Sequence, residues 1–160
     1  MENMRFLRKL PIPKEVKEMY PLTQEMKENK KRRDGEIAAI LRGEDARLLV
    51  VIGPCSADAE DSVLAYVSRL ATLAERVKEK LLLIPRVYTG NPRTAADGYK
   101  GLLHQPDPAG APDLFRGLVA MRELHMRVLR ETGLSGADEM LYPENHQYLS
   151  DVLSYVAVGA

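Results

Sequence analysis

The residues best suited to chemistry in this chain lie at the ends of apolar runs. Cys55, the only cysteine, follows the run LLVVIGP, and Arg86 follows LLLIP directly. Asp138 and Glu139 stand inside a third run, ADEMLY. A charged side chain beside an otherwise apolar segment is costly unless it is paired or binds something. These positions are therefore the first candidates for a functional site.

Further cations follow the second of these runs. Arg93 and Lys100 come after Arg86, so that three positive charges surround one predicted loop. Arginine binds phosphate through two parallel hydrogen bonds, so the pattern favours an anionic ligand that carries phosphate. The alternative is that Arg86 pairs with Asp138 or Glu139 on the neighbouring strand, and spacing alone does not decide between the two.

Three uses are compatible with the position of Cys55. A lone cysteine is most often a small buried apolar residue, and the residues by themselves favour that interpretation. A nucleophile needs a base nearby, and the sequence does not place His104, His125 or His146, although His125 lies in mid-helix, where surface exposure or packing is the usual role. A metal ligand needs further protein ligands, and no CxxC, HExxH or GxGxxG motif occurs.

From residue 47 onward, patterns typical of strands and helices alternate. Apolar runs predict strands at 47–53, 81–88, 137–142 and 155–160, and the first two runs are typical of strands buried on both faces. Helical spacing of apolar residues predicts helices at 58–80, 112–133 and 145–154. This β-α-β-α-β-α-β order predicts an α/β fold with parallel strands. A doubly wound sheet and the first half of a (β/α)8 barrel both fit. In both, functional residues collect at the carboxyl ends of the strands.

The N-terminal residues are polar and interrupted by prolines. Residues 1–33 predict an arm with short helical pieces rather than a folded domain, and residues 33–45 predict a short helix that stops at Gly43. The basic run 30–33 is interpreted as a solvated helix face. The predicted organisation is an arm and short helix over 1–46, followed by the strand-containing domain over 47–160.

Composition limits the classes of function. Lys plus Arg and Asp plus Glu both total 23, and this balance argues against a nucleic-acid binder. A single cysteine cannot form an internal disulfide, which favours a reducing compartment. No stretch approaches the roughly 20 apolar residues of a membrane span. The sequence predicts a cytoplasmic protein without nucleic-acid or membrane partners.

Four strings together resemble one enzyme family: RLLVVIGPCSADAED, RVYTGNPRTAADGYKGLLHQPDP, ADEMLYPENHQYLSD and SYVAVGA. They are similar to the N-terminal half of the type I 3-deoxy-D-arabino-heptulosonate 7-phosphate (DAHP) synthases, from about residue 35 to residue 160. The resemblance implies the barrel: the first half, about four strands, of a (β/α)8 TIM-type barrel preceded by an N-terminal helical arm.

The resemblance also implies an activity. Enzymes of this family are transferases that condense phosphoenolpyruvate with erythrose 4-phosphate, the first step of the shikimate pathway to chorismate and the aromatic amino acids. The enol carbon attacks the aldehyde, water adds at the neighbouring carbon, and phosphate leaves. A divalent metal ion of the Mn, Fe, Co or Zn class polarises the aldehyde. A homo-oligomer is implied for the complete enzyme.

The family's functional residues map onto positions of this chain. Cys55 matches its metal-binding cysteine, and Arg86 matches an arginine that holds phosphoenolpyruvate. Lys100 matches a lysine whose place in the active site is less defined. The remaining matches are substrate-binding positions, with Pro92, Arg93 and Thr94 in the erythrose 4-phosphate segment, and Glu139 and Ala160 near the phosphoenolpyruvate pocket.

Two departures from the family pattern stand out. Asn91 occupies the position of a substrate-contacting lysine, and the sequence ends at Ala160, where the family continues with a phosphate-binding arginine. A complete barrel typically has about 250 residues. We therefore expect a fragment of a synthase that is inactive alone. The alternatives are a non-catalytic half-barrel that associates with itself or with a full-length synthase, and a flavodoxin-like module that binds a phosphate ligand.

Overall fold

The computed structural model describes residues 8–90 and 99–159 as a mixed α/β structure. Helices and strands occur where the alternating pattern predicted them from residue 47 onward. The helices are α1 (Pro13–Met19), α2 (Gln24–Leu41), α3 (Glu60–Val77), α4 (Leu114–Thr132) and α5 (His146–Leu149), the last preceded by a 3-10 turn at Pro143–Asn145. The strands are β1 (Leu48–Ile52), β2 (Leu81–Pro85), β3 (Ala137–Met140) and β4 (Tyr155–Val158).

The strands run parallel and follow one another in space in their chain order. β1 pairs with β2, and β3 pairs with β4, both in parallel. A parallel bridge between Arg86 and Ala137 joins the two pairs, and Val87 N–H donates to Ala137 O at 2.9 Å. A doubly wound sheet reverses its strand order at the binding crevice. The described strands show no reversal, so the order is that of consecutive β/α units.

Helices α3 and α4 bury most of the apolar faces that their spacing predicted, but Leu114 at the start of α4 is exposed, and Ala74 and Val77 near the end of α3 are half-buried. Both pack into one core cluster, with Val63, Val67 and Leu70 from α3 and Leu118, Met121, Leu124 and Val128 from α4. The predicted stop of α4 is confirmed, since Gly133 adopts a φ of 69° and donates to Leu129 O. That left-handed conformation favours glycine.

The first strand is less buried than its composition predicted. Leu48 is 64% exposed, and the middle of β1 is only half-buried. Within the described residues, β1 has one neighbour, β2, so its other edge is open. The prediction of burial on both faces is wrong for β1. It is confirmed for β2, whose residues 82–85 are buried.

Helix α2 replaces the predicted arm and separate short helix with one continuous helix of 18 residues. Its N-cap is Thr23, whose Oγ1 accepts from Met26 N–H at 3.2 Å. The basic run is not uniformly solvated, because Arg33 is only 5% exposed and its guanidinium donates to Leu83 O. Arg33 lies four residues before the buried Ile37, so both occupy the packed face of the helix.

Helix α2 crosses the amino ends of the strands. Glu36 pairs with Arg47, just before β1, at 3.2 Å. The hydroxyl of Ser154, just before β4, donates to Asp34. Ile37 packs in a second cluster with side chains from β2 and β3. The opposite edge of the sheet, formed by the carboxyl ends of the strands, is left for other contacts.

The segment before α2 also packs on the rest of the chain. Val16 in α1 is fully buried, and Tyr148 OH donates to Pro11 O at 2.7 Å. Within residues 8–33, which the structure describes, the prediction of short helical pieces is confirmed for α1. The division into 1–46 and 47–160 stays a prediction. Among the described residues, no helix is long and apolar enough to span a bilayer.

Candidate functional site

The ends of β1 and β2 meet through Arg86. Its Nε donates to Pro54 O at 2.8 Å, and its backbone N–H donates to Ile52 O at 2.9 Å. A Cβ at Gly53 would lie 2.3 Å from Arg86 O. Only glycine permits this approach of the two chain segments. Gly53 and Pro54, the pair before the cysteine, therefore help to hold Arg86 in place.

The guanidinium of Arg86 lies 5.0 Å from the centroid of the Tyr88 ring. Within the described part of the chain it forms no ion pair with Asp138 or Glu139, so the alternative that Arg86 is neutralised by these carboxylates is wrong. Burial raises the pKa of Tyr88, an effect that the Arg86 charge opposes and the Glu139 and Asp138 charges reinforce. The phenol therefore stays protonated at neutral pH and adds no negative charge beside Arg86.

Asp138 is instead the centre of a buried hydrogen-bond network. Its Oδ1 accepts from Thr89 N–H at 2.8 Å and from Glu139 N–H at 2.7 Å. Its Oδ2 accepts from the Thr89 hydroxyl and lies 3.0 Å from Nε2 of His125. Four donors around one carboxylate satisfy its lone pairs, as a buried acid requires.

Sequence reasoning missed the role of His125. The side chain is 1% exposed, and its Nδ1 has no hydrogen-bond partner among the described residues. An N–H at Nδ1 would be a buried donor without an acceptor, so the geometry favours the tautomer in which Nε2 donates to Asp138. The signal in the sequence was its place on the apolar face of α4, between Met121 and Val128.

Glu139 faces the opposite side of β3 from Asp138, since successive strand residues alternate. A Cβ at Gly159 would lie 3.0 Å from its Oε1, and a Cβ at Gly90 would lie 3.2 Å from its backbone O. Its side chain therefore lies where the carboxyl ends of β2, β3 and β4 come together.

Cys55 is exposed. The interpretation as a small buried apolar residue is therefore wrong, because the chain leaves the sheet at Pro54 instead of turning into the core. Among the described residues, no group of three His, Cys, Asp or Glu side chains could hold a metal ion. This part of the chain can supply one thiolate ligand, and a metal would need its other ligands from elsewhere.

The other predicted residues are placed only in part. Lys100 is half-buried, and its backbone N–H donates to Gln105 Oε1 at 3.0 Å. Five predicted positions lie outside the described residues: Asn91, which departs from the family pattern, and Pro92, Arg93, Thr94 and Ala160. The structure thus brings Arg86 to the segment that carries Cys55, and Glu139 to the end of β2.

Fold and site together define a class. Consecutive parallel β/α units that carry an arginine, a thiol and a carboxylate at their carboxyl ends belong to the α/β proteins whose sites form at that edge. A family model described as the DAHP synthetase I family matches residues 19–160. The chain belongs to this family.

Individual relatives agree. The Tyr-sensitive phospho-2-dehydro-3-deoxyheptonate aldolase of Salmonella typhimurium is 38% identical over 94% of this chain and 42% of its own length. The tyrosine-inhibited aldolase of Candida albicans is 42% identical over 77% of this chain and 33% of its own length. The solved structure of the Francisella tularensis phospho-2-dehydro-3-deoxyheptonate aldolase matches with a TM-score of 0.88 and 30% identity, covering 99% of this chain and 46% of that one. The chain spans less than half the length of these relatives.

Proposed function

We propose that these residues form the first four β/α units of a (β/α)8 barrel in a DAHP synthase. Such an enzyme condenses phosphoenolpyruvate with erythrose 4-phosphate. Membership of the family supports the proposal, as does the consecutive order of the parallel strands. The observation that carries it is Arg86, which is fixed by Pro54 O at the carboxyl edge and forms no ion pair with the carboxylates of β3.

Arg86 is proposed to hold phosphoenolpyruvate through charge-assisted hydrogen bonds from its Nη atoms, the geometry that suits phosphate and carboxylate. Glu139 on β3 is proposed to line the same pocket, and Ala160 is assigned to it from the family resemblance alone. Erythrose 4-phosphate is assigned to Pro92, Arg93 and Thr94, and Lys100 to the active site beside them. The C–C bond forms between the enol carbon and the aldehyde carbon, water adds at the neighbouring carbon, and phosphate leaves.

Cys55 is proposed as one ligand of a divalent metal ion of the Mn, Fe, Co or Zn class. An exposed thiol at the end of β1 fits this role. The ion would supply Lewis-acid polarisation of the aldehyde. Its remaining ligands would come from parts of the enzyme other than the described residues. A cytoplasmic location and homo-oligomerisation of the complete enzyme, with 1–46 as a regulatory arm, belong to the same proposal.

One alternative has an observation in its favour. The open edge of β1, with Leu48 64% exposed, fits a half-barrel that associates with itself or with a full-length synthase. The flavodoxin-like module has less support, because the described strands do not reverse their order as that fold requires.

A fusion protein tests the proposed reaction. Residues 1–160 are continued with the part of the Salmonella typhimurium relative that lies beyond the matched region, and phosphate release is measured with both substrates and Mn²⁺. We expect turnover by the fusion and none by residues 1–160 alone, since half of a binding constellation cannot orient two substrates. Arg86→Ala should lower kcat/KM at least about 100-fold by removing a charge-assisted clamp on the substrate.

The matched control is Arg69→Ala on the exposed side of α3, which should leave kcat/KM unchanged. A folded fusion without turnover, or turnover that survives Arg86→Ala, would contradict the proposal.

A further inference from the structure

The contact between β2 and β3 is short. Among the described residues, the two strands share one bridge, between Arg86 and Ala137, and one further backbone bond, from Val87 N–H to Ala137 O. Beyond that point, Thr89 has no ladder partner on β3. Its backbone N–H and its hydroxyl both donate to the Asp138 carboxylate. The Asp138 side chain thus joins the two segments at a point where backbone hydrogen bonds would join them in a regular sheet.

The same carboxylate also holds the next residue of β3. Asp138 Oδ1 accepts from Glu139 N–H at 2.7 Å, so the ends of β2 and β3 are tied to one buried group. Thr89 is 2% exposed and Asp138 is 1% exposed. Hydrogen bonds to a buried charged group are stronger than neutral ones, and losing one leaves an unsatisfied partner.

His125 supports this group from the helix layer. Its Nε2 lies 3.0 Å from Asp138 Oδ2, and the ring is packed so closely that a Cβ at Gly136 would lie 3.1 Å from Nδ1. The absence of a side chain at Gly136 thus makes room for the ring beside β3. The carboxylate is fixed from two sides, by α4 and by the end of β2.

We propose that Asp138 and His125 are positioning residues that set the distance between the ends of β2 and β3, and with it the placement of Arg86 relative to Glu139. This inference rests on the proposed function, because it assigns the two strand ends to one substrate pocket. Neither positioning residue contacts the substrate. They act through Thr89 and Glu139.

Two matched pairs of variants test the proposal in the fusion protein and in residues 1–160. Thr89→Val keeps the shape of the side chain and removes the hydroxyl donor, whereas Thr89→Ser keeps the hydroxyl. His125→Leu removes the Nε2 donor, whereas His125→Gln places an amide N–H at a similar distance. Thr72→Val, on the exposed face of α3, controls for the substitution itself.

The first readout is hydrogen exchange of single backbone amides in residues 1–160, followed by NMR. Thr89→Val and His125→Leu should speed exchange of the Thr89 and Glu139 amides about tenfold, the order of one hydrogen bond to a charged group. Amides in the middle of α3 should keep their rates. The second readout is the KM of the fusion for phosphoenolpyruvate. Thr89→Val and His125→Leu should raise this KM about tenfold with a smaller change in kcat. Thr89→Ser and His125→Gln should keep it close to that of the unmodified fusion.

The two proposals fail differently. If the unmodified fusion folds without turnover, the proposed function fails and the exchange rates alone decide the positioning role. If the fusion is active, and the variants lower its Tm without changing local exchange or KM, the network is structural only and the positioning role is overturned.

Discussion

The buried ion pair of Arg122 and Asp151 shows what a single residue contributes to this chain. Arg122 is fully buried, and its two Nη atoms donate to the two carboxylate oxygens of Asp151 at 2.7 and 2.9 Å. Its remaining donors reach Tyr20 O and Tyr148 O. One guanidinium thus joins α4, the segment after α5 and the end of α1. Its role is structural, whereas Arg86 is proposed to bind substrate.

This pair predicts a dependence of stability on pH. Burial raises the pKa of Asp151, but the hydrogen bonds and positive charge of Arg122 lower it by more. The pKa of Asp151 in the folded protein therefore lies below the ordinary value of 3.8. A carboxyl whose pKa is lower in the folded than in the unfolded protein stabilises the fold when the pH lies above the unfolded pKa. This stabilisation is lost as the pH falls through the folded pKa. We expect the free energy of unfolding to fall as the pH drops below about 4.

Urea unfolding at pH 7 and pH 3 measures this effect. Asp151→Asn should cost about 2 kcal/mol at pH 7 and flatten the acid dependence, a modest figure because the carboxylate is 35% exposed. Asp61→Asn, on the exposed first turn of α3, is the matched control. An unchanged acid slope in Asp151→Asn would contradict the assignment.

At single positions, the sequence indicated some residues of the candidate site and not others. Arg86 was recognisable because a charge directly after an apolar run needs an explanation. The network of His125, Asp138 and Thr89 was not, because it joins a helix, a strand and a strand end whose register no local pattern specifies. Cys55 was correctly placed at the strand mouth, but its burial was misjudged because cysteine composition says nothing about where the chain leaves the sheet.

Helix α2 illustrates how an element is missed. Three prolines between residues 11 and 21 suggested broken structure, yet no proline interrupts the 18 residues from Gln24 to Leu41. Local propensity therefore allowed one long helix, and tertiary contacts at the amino ends of the strands select it. The charge run of this segment obscures its apolar face in the local pattern.

Two adjacent arginines of α2 test that packing. Arg33→Ala should destabilise the chain by about 2–3 kcal/mol, because it removes a buried stem and the hydrogen bond to Leu83 O. Arg32→Ala should stay within about 0.5 kcal/mol, because Arg32 is exposed and its pair with Glu36 is a surface salt bridge. Thermal or urea unfolding measures both. Equal effects at the two positions would show that Arg33 does not anchor the helix.

On the scale of the whole molecule, the alternating pattern predicted the order of elements and the parallel pairing from residue 47 onward. It could not choose between a doubly wound sheet and a barrel, because both have the same local periodicity. The consecutive order of the described strands does not fit a doubly wound sheet, and the barrel is the fold proposed above. This order also accounts for the exposed first strand, which has the composition of a buried one and, in the described chain, one neighbour.

The open sheet edges predict self-association. Leu48 on β1 is 64% exposed and Val158 on β4 is 74% exposed, and apolar edge strands pair readily with other chains. Leu48→Lys and Val158→Lys together should reduce the fraction of oligomer or aggregate at micromolar concentration, measured by light scattering coupled to size exclusion. Leu73→Lys, at an exposed helical position, should have little effect. A double variant that associates as strongly as the original would place the interface elsewhere.

The placement of α2 has a consequence for biosynthesis. Asp34 leaves the ribosome 120 residues before its partner Ser154, and Arg33 leaves it 50 residues before Leu83. Closing segments of this length costs chain entropy before any bond compensates for it. Until translation has passed Ser154, the helix lacks part of its docking surface, so the nascent chain carries an unfinished hydrophobic face while at least 120 further residues are made.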